Sequence, residues 1–289
     1  MRRALDILRR QSLSPYDEAA HRGLLRAFTA RLAPTTGELL IGLVTTSPDL
    51  HAADDLAEAL LAAADELPRV GDQDVRAVGV VHNVNPDRGN ALIGDDVRTL
   101  VGRGHIFERF GDLTFRISFL SFNQLHRHAE QLLYAPALAM LGPLEGLRVI
   151  DAFGGIGPFA IRLARRGVEA VTLVELHPSS CADARHNVAA NGLANVKIVE
   201  SAFDSAVLER SADLLVVDPT RAGLGVAGCA HVGELGPPRV LYVACGIEAL
   251  ARDLGRLPEY RLEKVQLADL FPHTDHVEIL ALLRRRPGN

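Results

Sequence analysis

Eleven residues near the middle of the chain, Leu147-Arg-Val-Ile-Asp-Ala-Phe-Gly-Gly-Ile-Gly157, constrain the fold more than any other stretch. A β-branched run ends in an acid, passes into a glycine-rich turn and leads into helix-forming sequence. Glycines let a backbone pass close to a ligand where side chains would clash. In a doubly wound sheet such a turn lies at the carboxyl ends of the strands, where ligands bind.

The sequence from Ser121 onward supplies the rest of that sheet. Ser121-Phe-Asn-Gln124 matches a capping box and predicts a helix running to about Leu141. Strand and helix patterns then alternate over 148–152, 158–166, 170–175, 179–190, 196–200, 214–218, 239–244 and 247–257. That rhythm predicts a parallel sheet with helices on both faces. Segments 261–267 and 277–283 are strand-like with no helix between them, so the sheet is expected to end in an antiparallel pair. The first 120 residues read differently, as a smaller α+β unit. Segments 24–32 and 39–46 flank Pro34-Thr-Thr-Gly-Glu38 as a hairpin; 49–67 is helical; 76–83, 91–93, 98–101 and 113–117 read as strands. The expected division is therefore 1–120 and 121–289.

Bulk properties exclude several classes. A formal charge of −5 rules out binding to polyanions through net charge alone. No apolar run approaches the roughly 20 residues of a membrane span, and the N-terminus lacks the pattern of a secretory signal. The three cysteines, Cys181, Cys229 and Cys245, are too few and too scattered for a disulfide framework, which fits a reducing cytoplasm.

The turn is Gly-Gly-x-Gly, not the Gly-x-Gly-x-x-Gly of dinucleotide folds, and favours S-adenosyl-L-methionine over NAD. Gly155 and Gly157 would bring the backbone to the cofactor. Glu175 ends the next strand, 24 residues after Asp151, where an acid can accept both ribose hydroxyls. Taken singly, Asp151 reads as a turn cap and Glu175 as a helix-start charge. With Asp218 at the tip of the fourth strand they form a pattern that caps alone do not explain. The whole arrangement is α/β, the class I (Rossmann-like) methyltransferase pattern. In Asp218-Pro-Thr-Arg221 an arginine stands where amino-methylating enzymes carry an aromatic, which disfavours amino methylation. Cys245 ends the fifth strand; a lone cysteine is usually a small core hydrophobe, but the helix start beside it is expected to lower its thiol pKa. His273, Asp275 and His276 suggest a metal site, but no step here requires one, and none is expected.

Five motifs occur in order: Ser121-Phe-Asn-Gln124, Asp151-Ala-Phe-Gly-Gly-Ile-Gly157, Asp218-Pro-Thr-Arg221, Val243-Ala-Cys245 with Leu250-Ala-Arg-Asp-Leu254, and Asp269 to Glu278. The series resembles the RNA uracil-5-methyltransferases, which make 5-methyluridine in tRNA and ribosomal RNA. Gly37-Glu-Leu-Leu, His82-Asn-Val-Asn-Pro and Asn90-Ala-Leu-Ile-Gly-Asp extend the likeness over nearly the whole chain. The resemblance implies an RNA substrate, Cys245 as nucleophile and Glu278 as base, although Glu278 alone would read as an edge-strand charge. It places Gln124, Phe153, Glu175 and Asp218 around the cofactor. Phe122 is then a platform for a flipped uracil or else a core aromatic, and Arg221 holds either the enolate oxygen or a phosphate. The alternatives to RNA methylation are a free pyrimidine nucleotide or other small acceptor, and a non-catalytic RNA-binding relative.

The sequence departs from the family at four places: Gly246-Ile247 replaces Asn-Pro, Gly154 a cysteine, Pro158 a polar residue and His126 an asparagine. Many relatives also carry an N-terminal β-barrel and four iron–sulfur cysteines. Their absence here implies a short form or a piece of a longer chain. Without the barrel, residues 1–120 are expected to face RNA, helped by Arg2, Arg3, Arg9, Arg10, Arg22, Arg26 and Arg31, with Arg284 to Arg286 adding to the basic surface.

Overall fold

The computed structural model describes residues 2–11, 13–64, 67, 69, 73–124 and 126–287. The chain divides into two compact units, Met1–Ser121 and Phe122–Asn289.

In the N-terminal unit, α1 (Arg2–Arg10), β1 (Leu25–Leu32), β2 (Glu38–Thr45), α2 (Ala53–Ala64), β3 (Arg76–Val84) and β4 (Asp96–Gly102) form one layer pair. The sheet order is β1-β2-β3-β4; β1 and β4 pair antiparallel with their neighbours, and β2 and β3 run parallel through the α2 crossover. Leu8 of α1 and Leu56 and Leu60 of α2 close over Leu39, Ile41, Leu43 and Val80. A second hairpin, β5 (His105–Phe110) and β6 (Leu113–Ser118), follows. The strand expected at 91–93 is instead part of a loop. Its carbonyls are taken by side chains: Arg26 donates to Asn85, Asp87, Gly89 and Ala91, and Asn83 and Asn85 donate to Gly94 and Ala91. With those groups satisfied, the backbone needs no strand partner.

The C-terminal unit carries a seven-stranded sheet. Its elements are a π-helical turn (Glu130–Tyr134), α3 (Ala135–Leu141), β7 (Arg148–Ala152), α4 (Pro158–Ala164), β8 (Ala170–Glu175), α5 (Pro178–Ala190), β9 (Val196–Glu200), β10 (Leu214–Val217), α6 (Gly225–Leu235), β11 (Arg239–Ala244), α7 (Ile247–Gly255), β12 (Tyr260–Ala268) and β13 (Glu278–Arg285). The order is β12-β13-β11-β10-β7-β8-β9, parallel from β11 to β9, with β13 antiparallel to both β11 and β12. The expected antiparallel ending is present. Alternate strand residues face opposite layers. Val149, Leu173, Val216 and Leu241 meet α3, α4 and α5, whereas Ile150, Val217, Tyr242 and Ala281 meet α6 and α7. All four residues of β10 are buried, as a central parallel strand requires.

Two local readings of the sequence do not hold. The box at Ser121–Gln124 does not open the helix: these residues have no regular structure, and the helix starts only at Ala129. Pro136 explains the opening turn. It has no N–H and would crowd the preceding carbonyls in a regular helix, and the wider π turn, closed by Ala135 N–H on Glu130 O, relieves this. Second, the pattern predicts no helix between 218 and 239, yet α6 lies there. Three of its residues are glycines, but Cys229, Val232 and Leu235 are buried, and packing overrides the poor propensity. Among the described residues, no helix is long and apolar enough to cross a membrane.

The arginines expected to form a basic face are largely engaged within their own units. Arg26 and Arg31 donate to backbone carbonyls, and Arg9 pairs with Asp6. Arg284 pairs with Glu263, and Arg285 and Arg286 donate to the carbonyls of Gly236 and Tyr260. Arg22 and Arg10 remain exposed.

Candidate active site

The carboxyl ends of β7, β8, β10 and β11 lie along one edge of the C-terminal sheet, and antiparallel β13 begins at the same edge. This puts Asp151, Phe153, Glu175, Asp218, Cys245 and Glu278 on neighbouring strand tips.

Asp151 is buried, and its Oδ2 accepts the Ala160 N–H at 2.8 Å. Gly157, the N-cap of α4, has no side chain for that task, so an acid from the strand caps the helix instead. Its other oxygen, Oδ1, is buried without a partner. Burial pushes the Asp151 carboxyl up to about 7; the Ala160 bond opposes this and Glu175 adds to it.

Glu175 bridges two backbone donors, Gly155 N–H to Oε2 at 2.9 Å and His177 N–H to Oε1 at 2.7 Å. A carboxylate has about four lone-pair sites, so two remain for hydroxyls. Gly155 has φ +53° and faces open space, where a close-approaching ligand fits. Phe153 sits at φ +60°, a conformation an aromatic residue adopts only at a cost of about 1–3 kcal/mol. Its ring is held by Phe203, 5.7 Å away. Gly154 is fixed by packing: a Cβ there would stand 2.5 Å from Leu173 Cγ. Pro158 occupies a position in the first turn of α4 that suits it, and Gly246 has extended backbone with open space around it.

At the other end of the row, Ala244 pairs with Ile279 across β11 and β13, so the next rung sets Cys245 opposite Glu278. Glu278 is buried, which raises its carboxyl pKa. Asp218 is half-buried; burial, then Glu278 and Asp151, hold its carboxyl well above the ordinary range. The expectation of a lowered Cys245 thiol is overturned. Burial raises it, and Glu278 and Asp218 raise it further, outweighing the backbone at the start of α7 and the Arg221 charge. The sequence shows the helix start but not the two acids that the fold brings beside it.

The remaining candidates differ in placement. Arg221 is exposed, and its Nη2 lies 3.0 Å from His276 Nδ1. Phe122 is 67% exposed, which excludes the core-aromatic alternative. Gln124 is buried. Cys181 and Cys229 are buried, with thiols pushed up to about 11 and about 12, first by burial. Among the described residues, no three His, Cys, Asp or Glu side chains form a metal-holding group. Two residues at this edge had no signal in the motifs. Tyr134 is buried near Asp218 and Asp151 with the Arg162 guanidinium 4.2 Å over its ring, and Leu176, next to Glu175, is 65% exposed.

The sequence model of the family described as tRNA (uracil-5-)-methyltransferase matches residues 112–286. The chain belongs to this family. Similarity to RNA methyltransferases extends beyond the matched segment. An uncharacterized RNA methyltransferase of Streptococcus pyogenes serotype M3 is 35% identical over 96% of this chain and 59% of its own length. One from Halalkalibacterium halodurans is 34% identical over 98% of this chain and 61% of its own. The chain therefore spans about three-fifths of these relatives. The crystal structure of Pyrococcus abyssi tRNA (uracil-54, C5)-methyltransferase in complex with S-adenosyl-L-homocysteine superposes with a TM-score of 0.78 at 26% identity, covering 98% of this chain and 64% of that one.

Proposed function

We propose that this chain methylates carbon-5 of a uridine in RNA, ribosomal or transfer, through a covalent adduct on Cys245. The observation that carries the reading is the rung that sets Cys245 against Glu278, with Asp218 beside them. Carbon-5 of uracil is a poor nucleophile. Addition of the Cys245 thiolate to carbon-6 forms an S–C6 bond and pushes electron density onto carbon-5 and the O4 enolate. After carbon-5 takes the methyl group, Glu278 removes the carbon-5 proton, the C5=C6 bond reforms and the thiolate leaves. A carboxyl raised by burial is a stronger base for that step. Arg221 is assigned to the enolate oxygen or a phosphate, and exposed Phe122 to stacking on the extruded base.

The other half of the site fits S-adenosyl-L-methionine, which when bound supplies an electrophilic methyl on a positively charged sulfonium. The unpartnered Asp151 Oδ1 awaits a cationic group such as an ammonium, and Glu175 retains acceptor sites for ribose hydroxyls. Gly155 and Gly157 keep the turn low, Phe153 and Leu176 offer apolar surface, and Gln124 and Asp218 complete the assigned set. A thiol held above its ordinary pKa is the more nucleophilic once ionised, and the Arg221 charge favours its ionisation. Residues 1–120 are assigned to the RNA side, where Arg22, Arg88, Arg98 and Arg109 are exposed.

The test is methyl transfer from labelled S-adenosyl-L-methionine to undermethylated RNA and to free uridine nucleotides. Label recovered as 5-methyluridine from RNA supports the reading. Label on cytosine or adenine overturns it, and label confined to free nucleotides replaces the acceptor.

A further inference from the structure

The loop Asp218–Leu224 carries two of the assigned groups, and its far end is tied down by a buried carboxylate outside the reacting set. Asp253, on α7, is 1% exposed. Its Oδ2 accepts the Leu224 N–H at 2.6 Å and the Tyr242 hydroxyl at 2.8 Å, and its Oδ1 accepts Arg256 Nη1 at 2.9 Å. Tyr242 is wholly buried on β11, three residues before Cys245. Gly223 has φ +80°, and a Cβ there would stand 2.4 Å from Asp253 Oδ2 and 3.2 Å from the Tyr242 oxygen. Gly223 N–H also closes a turn onto Thr220 O at 2.8 Å, so the constraint reaches back to Arg221. The loop has thus been drawn onto the two elements, β11 and α7, that flank Cys245.

We propose that Asp253, braced by Tyr242, is a positioning residue that fixes the Arg221 loop against the Cys245 turn. Hydrogen bonds to a charged acceptor are the stronger kind, and a buried carboxylate with three donors permits one arrangement. An N-terminal helix cap alone does not require this: besides Arg256 at the end of its own helix, Asp253 holds the Leu224 end of the loop and Tyr242 of β11. The inference rests on the assignment of Arg221 and Cys245 to one site, and its test is chosen to work on the protein without RNA or cofactor.

The experiment is alkylation of Cys245 by iodoacetamide across pH, followed by peptide mass spectrometry, in the wild type, Asp253→Asn, Tyr242→Phe, Arg221→Ala and the Asp253→Asn/Arg221→Ala double variant. Removing a negative charge on its own lowers a neighbouring thiol pKa. A released loop instead withdraws the Arg221 charge and raises it. The expected result is an upward shift in Asp253→Asn, on the order of half a pH unit, matching Arg221→Ala and not increased in the double variant. Tyr242→Phe shifts the profile the same way by less. Amide exchange at 223–224 should accelerate at least tenfold in Asp253→Asn while exchange in β7 and β8 is unchanged. A downward or absent shift, with slow exchange at 223–224, overturns the proposal. Loss of protection throughout the sheet in both variants, with no selective change at the loop, also overturns it by making Asp253 a general stability residue. If these shifts appear and RNA is not methylated, the positioning role stands and the functional reading fails.

Discussion

Cys245 and Glu278 face each other one rung beyond the paired residues Ala244 and Ile279, at the point where the parallel sheet meets its antiparallel edge. The two lie 33 positions apart in sequence, on strands that run in opposite directions. That reversal matters: a parallel β13 would begin at the opposite edge, and its first residue would not reach the nucleophile.

Glu278→Gln should separate the two halves of the reaction. The amide keeps the shape of the carboxyl but does not take up the carbon-5 proton. Methylation turnover should fall about 10²–10⁴-fold, the usual contribution of a positioned base, while a covalent RNA adduct on Cys245 accumulates. Denaturing gel electrophoresis with labelled RNA reads both. Full turnover in the variant would remove Glu278 from the base role.

Asp151 makes stability depend on pH. Its folded-state pKa of about 7 lies above the ordinary 3.8, so its contribution is fully present below about pH 4 and is lost as pH rises through 7. The corresponding ceiling is about 4 kcal/mol. Asp151→Asn keeps an acceptor for Ala160 and removes the ionisation. Without ligand, the variant should be about 1–3 kcal/mol more stable than wild type at pH 8, the unpaired amide offsetting part of the gain, with the difference vanishing near pH 4. Its affinity for S-adenosyl-L-methionine should fall at least tenfold. Urea denaturation at several pH values and calorimetry measure these. A wild-type stability that stays flat from pH 5 to 8 would contradict the assignment.

Much of this site is legible in the sequence because strand tips are marked by acids and glycines. Asp151, Glu175 and Asp218 each end a short apolar run, and periodicity alone puts them on one edge. The ends of β8, β9 and β11 coincide with the expected ones. What sequence does not show is charge brought from afar. The start of α7 pointed to a low Cys245 pKa, but Glu278 and Asp218 reverse the direction. Likewise α6 is hidden by its glycines, and Ser121–Gln124 carries a cap pattern although the helix after it starts only at Ala129. Local propensity is a weak prior where burial and through-space charge decide.

Gly154 is a departure from the family pattern that its packing explains. Gly154→Ala should cost about 1–3 kcal/mol, because Leu173 Cγ sits 2.5 Å from the new Cβ and is itself buried. Leu173→Ala creates a cavity on its own, but combined with Gly154→Ala the two losses should be less than additive. Thermal unfolding of the four proteins forms the cycle. Strict additivity would mean that Leu173 is not what the glycine accommodates.

Phe122→Ala should act on RNA and not on folding. The ring is 67% exposed, so its removal should leave the melting temperature unchanged. Base stacking contributes about 1–3 kcal/mol, which predicts a rise in KM for RNA of roughly 5- to 150-fold with cofactor affinity unaltered. A marked drop in melting temperature with unchanged KM would return Phe122 to a structural role.

The most direct test of the central claim is reaction with 5-fluorouridine RNA in the presence of S-adenosyl-L-methionine. Fluorine at carbon-5 does not leave as a proton, so the methylated adduct cannot eliminate. A protein–RNA species stable to denaturation, with the nucleotide mapped to the peptide containing Cys245 and absent in Cys245→Ala, is the predicted result. No stable species, or one that persists unchanged in Cys245→Ala, would contradict the covalent role of Cys245.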